Sequence, residues 1–122
     1  MNGLYLYEAK VLSWLDGDTL EVEIRLGFHV SCTKRLRVYG LNCREVHTKN
    51  EDEKKQGLGD KSFAENLLPV GKTTRMRSHK GADDKYGRWL AEIELSDGQD
   101  FATAMISAGH GKPYFGEGPK PV

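Results

Sequence analysis

Three short stretches of this 122-residue chain carry side chains that could act together on a phosphate ester. Asp84-Lys85-Tyr86-Gly87-Arg88-Trp89-Leu90-Ala91 sets an arginine beside a tyrosine and a glycine, just after a basic segment. A guanidinium in that setting can fork onto a phosphate while the ring packs over a sugar or base. Upstream, Asp16-Gly17-Asp18-Thr19 offers two carboxylates and a hydroxyl, an oxygen set suited to a hard cation such as calcium. The same four residues are also an ordinary Asp-Gly hairpin turn. Between them in chain order, Arg35 to Glu45 places Arg37 on a strand, with Asn42 and Glu45 just beyond it. Leu36 and Val38 would face a core, so Arg37 would point to the opposite, open face. Asn42 and Glu45 could add oxygens near the same cation, and Glu45 could orient or deprotonate a water. Two arginines on one phosphate would stabilise the charge that builds on five-coordinate phosphorus. Taken alone, the first two stretches in chain order read more readily as a hairpin turn and as an exposed strand with a polar loop, and the third reads reasonably as a turn with a surface arginine.

The elements that must position these groups follow from periodicity. Leu20, Val22, Ile24 and Leu26 alternate with Glu21, Glu23 and Arg25, the pattern of a half-buried strand. Tyr5 to Trp14 reads as its hairpin partner across Asp16-Gly17. Gly27-Phe28 turns the chain into a third strand from about Val30 to Tyr39. Residues 46–60 are polar, with Gly57 and Gly59, and read as a mobile loop. A helix then starts at Asp60 as its cap, carries Phe63, Ala64, Leu67 and Leu68, and stops at Pro69 and Gly71. Strands follow at about Thr73–Ser78 and Trp89–Leu95. A second helix runs from about Asp100 to Ala108 and ends at Gly109. The fold class expected is α+β, mainly β: a five-stranded, OB-like Greek-key barrel with two packed helices. One domain covers residues 1–112, and 113–122 form an irregular tail rich in Gly and Pro.

Bulk composition excludes little. The chain is 38% hydrophobic and 30% charged with net charge +0, ordinary for a single globular domain. Its charge is uneven: Lys72, Arg75, Arg77, Lys80, Lys85 and Arg88 crowd residues 72–88, while Glu45, Glu51, Asp52 and Glu53 cluster in 45–53. Cys32 and Cys43 are too few for a disulfide framework, and the His are too scattered for a zinc site. No apolar run is long enough for a bilayer-spanning helix, and the N-terminus shows no secretory pattern, so the expected location is cytoplasmic.

Taken together and in order, these motifs resemble the staphylococcal (micrococcal) nuclease family, over about residues 5 to 112. The resemblance implies a calcium-dependent nuclease that hydrolyses DNA and RNA and leaves 3′-phosphates. It implies metal ligation by Asp18, Asn42 and the backbone carbonyl of Cys43, with Asp16 supporting the site. Arg37, Glu45 and Arg88 take the catalytic positions. Tyr86 matches a nucleotide-contacting tyrosine, Lys85 lies beside it, and Tyr114 is a candidate for a C-terminal one. The chain departs from the family at Asn42, where an aspartate is usual, and at Arg44, where a proline is usual. The alternative is a non-catalytic OB-like module that binds single strands through Arg75, Arg77, Tyr39 and Tyr86. A protein-interaction domain of the same fold is a third reading.

Overall fold

A computed structural model describes residues 5–83 and 89–115. Strands β1 (Leu6–Asp16), β2 (Thr19–Gly27) and β3 (Val30–Val38) form the expected antiparallel meander. Strand β4 (Gly40–Asn42) follows at once, then helix α1 (Glu51–Leu67). Strands β5 (Thr73–Asp83) and β6 (Trp89–Ile93), helix α2 (Phe101–Ser107) and strand β7 (Lys112–Tyr114) complete the described chain. The sheet closes as a mixed five-stranded barrel in the order β1-β2-β3-β6-β5, with β3 and β6 parallel and β1 returning to β5. Closure leaves this small sheet no open edge.

Alternation explains what fills it. Ala9 and Val11 from β1, Leu20 and Val22 from β2, Leu36 and Val38 from β3, Met76 from β5 and Ala91 and Ile93 from β6 are all buried. The helices close one side. Phe101 of α2 stacks on Trp14 at 5.2 Å, and the Trp14 indole N–H donates to the carbonyl of Leu68 just past α1. That bond satisfies the one polar atom of a large buried ring.

Three expectations need correction. Helix α1 begins at Glu51, not Asp60, so ten of the fifteen residues 46–60 expected as a mobile loop are helical. Asn50 is its cap and accepts from the Glu53 amide, and Glu51, Asp52 and Glu53 complement the helix dipole. Gly57 and Gly59 hid this helix because glycine is a poor helix former. The β2–β3 turn is Phe28-His29, both at positive φ, rather than Gly27-Phe28. Two such residues make the turn that matches strand twist. The supposedly irregular tail starts with order: Pro113 and Tyr114 belong to β7, which pairs antiparallel with β4.

Candidate functional site

The β1–β2 turn is a two-residue loop, Gly17-Asp18, between paired Asp16 and Thr19. Gly17 is needed here for space: a Cβ on it would lie 3.0 Å from the Cys43 sulfur and 3.1 Å from the Asp60 Cβ. The turn is thus pressed against the chain leaving β4 and against α1. Asp18 is consequently only 5% exposed. Its Oδ2 accepts from the Cys43 amide at 2.8 Å, and its Oδ1 from the Thr19 hydroxyl at 3.1 Å. Burial holds the Asp18 carboxyl above the usual range, against the opposing pull of the Cys43 amide, Arg37 and Thr19.

Arg37 lies in β3 opposite Thr19 and is 7% exposed, so it is buried rather than standing on an open face. Leu36 and Val38 do point into the core as alternation requires. The Arg37 Nη2 donates to the Leu41 carbonyl at 3.2 Å and to Asn42 Oδ1 at 3.0 Å, and lies 3.8 Å from Asp18 Oδ2. Its guanidinium sits 5.5 Å from the centre of the Tyr114 ring, a cation–π contact that β4–β7 pairing makes possible.

A cleft of about 280 Å³ opens over these groups. Asp16, Asp18, Arg37, Asn42, Cys43 and Glu45 all line it, joined by Arg35 and His47. Fold closure therefore gathers every expected site residue of the first two motifs into one cavity. Tyr114 stands beside it over Arg37. Arg75 and Arg77 do not line the cleft; they lie on β5, where Arg75 pairs with Glu94 at 3.2 Å. Lys85, Tyr86 and Arg88 lie outside the described residues.

The side-chain donors that Asp16, Asp18 and Asn42 bring to the cleft are all oxygens, the chemistry a hard divalent cation takes. The Cys43 thiol is not part of that set, since it donates to the His110 carbonyl at 3.1 Å. Burial, followed by the nearby Asp18 and Asp60 charges, pushes that thiol far up, so it stays protonated. Among the described residues no three of His, Cys, Asp and Glu converge as a metal cluster.

Sequence reasoning passed over Arg35 and His47. Each sits two residues from a chosen one, Arg37 and Glu45, and strand periodicity could have flagged Arg35. It also misjudged Asp60, which is fully buried within α1 and accepts from Arg44 and His110. Its signal was spacing: Gly57, Asp60 and Ala64 form the buried face of the helix.

A closed five-stranded barrel with an acid–arginine cleft at its β1–β2 turn defines the class, and the chain belongs to the staphylococcal nuclease homologues. That family's model matches residues 35–120. The relationship is thus to nucleases. The chain is also similar to an uncharacterized lipoprotein of Mycoplasma genitalium, with 29% identity over 122 residues. The alignment takes in 91% of this chain and spans 46% of the length of that relative.

Proposed function

We propose that the chain is a divalent-metal-dependent nuclease, with calcium as its ion, that hydrolyses phosphodiester bonds of DNA or RNA and leaves 3′-phosphates. One observation carries this reading: Asp16, Asp18, Arg37, Asn42 and Glu45 share a single cleft. A cation in it would be held by Asp18, Asn42 and the Cys43 carbonyl with Asp16 behind them, and would neutralise phosphate charge. Arg37 is fixed by Leu41 and Asn42 before substrate arrives, so its fork is preorganised for an anionic oxygen. The family resemblance gives Arg88 as the second fork. Glu45 is exposed at the cleft and can take a proton from water. The water oxygen then bonds to phosphorus, the P–O5′ bond breaks, and the 5′ oxygen gains a proton. Tyr114, whose ring lies against the Arg37 guanidinium, would contact the nucleotide.

The test is incubation with plasmid and with heat-denatured DNA, with calcium and with chelator. Calcium-dependent shortening is expected, and Glu45→Gln and Arg88→Ala should each lose activity by about 100-fold or more while folding normally. Full calcium-dependent cleavage by both variants rejects the assigned roles. DNA that is bound but left intact would favour the non-catalytic module.

A further inference from the structure

Glu45 is an exposed side chain on an irregular segment, and such a group has no fixed position of its own. The backbone around it is nevertheless anchored at three amides by three carboxylates. The Cys43 amide donates to Asp18 at 2.8 Å, the Arg44 amide to Asp60 at 3.2 Å, and the Val46 amide to Asp16 at 2.9 Å. Two of those acids belong to the β1–β2 turn already described. The third, Asp60, comes from α1 and does not line the cleft.

Asp60 also holds the Arg44 side chain in a two-pronged contact. Nε reaches Oδ2 at 2.9 Å and Nη2 reaches Oδ1 at 2.7 Å, while Nη1 donates to Gln56 at 3.3 Å. From the other side, His110 Nδ1 lies 3.0 Å from Asp60 Oδ1, and its ring stacks on Phe63 at 4.4 Å. One turn earlier on the helix, Gly57 touches the main chain of Glu45 itself. A Cβ there would lie 2.4 Å from the Glu45 carbonyl oxygen and 3.0 Å from that of Arg44. A buried carboxylate with paired donors on one side and an imidazole nitrogen on the other is a rigid support. Arg44 stands where the family usually has a proline, a residue that would stiffen the backbone but lacks the amide and the fork.

We propose that Asp60 and Gly57 of α1 are positioning residues for Glu45, acting through Arg44 and through the Glu45 carbonyl; the catalytic part of this rests on the hydrolytic role given to Glu45 above. The Arg44–Asp60 clamp ties the segment to the helix by an ion pair. Displacing a reacting group by about 1 Å costs on the order of 100-fold in rate. Loosening the clamp therefore lowers kcat and leaves KM nearly unchanged, because Arg37 and its partners are untouched.

Two measurements on the full chain test this. Amide hydrogen exchange compares wild type with Asp60→Asn and Arg44→Lys; lysine keeps the charge and loses the fork. Exchange across residues 44–46 should quicken by about ten-fold, with the Cys43 amide, held by Asp18, and barrel protection unaltered. Kinetics on a short oligonucleotide then compare Asp60→Asn in the wild-type and Glu45→Gln backgrounds. A drop in kcat of about 10- to 100-fold in the first, and none in the second, is the signature of action through Glu45. Equal drops in both backgrounds, or unchanged exchange, overturn the proposal. Should Asp60→Asn not fold, Arg44→Lys carries both measurements, its side chain being 36% exposed. A wild-type chain that cleaves nothing removes the hydrolytic reading, and the exchange data alone then decide whether the clamp stands.

Discussion

Asp18→Asn removes one charge while keeping the side chain's shape, and it separates stability from activity. Asparagine can still accept from the Cys43 amide through its oxygen and can donate to the Thr19 hydroxyl, so both bonds of Asp18 have a replacement. What disappears is attraction to Arg37 at 3.8 Å, about 4 kcal/mol at an effective dielectric of about 20. Opposing it is the cost of a carboxylate withdrawn from water, several kcal/mol by itself. Burial is the stronger influence, because the Asp18 carboxyl titrates above its usual range despite Arg37, the Cys43 amide and Thr19. The variant should therefore match wild type in stability or exceed it by about 1–2 kcal/mol, while cleavage falls by about 100-fold or more. The pH dependence has a definite sign. A raised folded-state pKa means that Asp18 contributes most to stability below its unfolded pKa, near about 4, and that this is lost as pH rises through the folded value. Asparagine does not titrate. The stability difference should thus move in the variant's favour from about pH 4 upward and then level off. Urea unfolding followed by tryptophan fluorescence across that range, with cleavage measured on the same samples, is the assay. A loss of more than about 3 kcal/mol at neutral pH, or a difference that shifts toward wild type as pH rises, would refute the ranking of burial over attraction.

Other expectations follow from the same geometry. Asn42→Asp adds a negative charge to the proposed ion site and should tighten calcium binding in a calorimetric titration; no gain counts against placing an ion at this position. Arg37→Lys keeps the charge but loses the planar guanidinium that Nη2 ties to Leu41 and Asn42, so kcat should drop by about 10²- to 10³-fold. Retention within about ten-fold would mean that charge alone suffices. Phe101→Ala empties the fully buried site against Trp14 and should cost about 3–5 kcal/mol in denaturant unfolding. Trp14→Phe keeps the stack, loses only the bond to Leu68, and should cost about 1 kcal/mol beyond its volume change.

Local pattern carried the strands. Period-two alternation in Thr19–Gly27 and the Asp-Gly turn before it specify both an element and its face, since burial of alternate residues is a local property of a strand. The cap and stop signals of α2 are as local: Asp100 accepts from the Thr103 amide as a cap should. Helix α1 was legible only from Asp60 onward. Its first turns are charged and broken by Gly57 and Gly59; the Asn50 cap and acidic first turn start them locally, and the contacts of Gly57 with the Glu45 backbone and of Asp60 with Arg44 hold them in place.

Sequence by itself determined the barrel's strands, the order of the motifs and six of the groups that meet in the cleft: Asp16, Asp18, Arg37, Asn42, Cys43 and Glu45. Tertiary structure alone decided that Arg37 is buried rather than open, that Tyr114 covers it from the far end of the chain, and that Asp60 supports the loop of Glu45. These are contacts between residues 16 to 77 positions apart. No local propensity encodes them; they exist because closing the barrel presses its first turn, helix α1 and the β4–β7 pair into the same small volume.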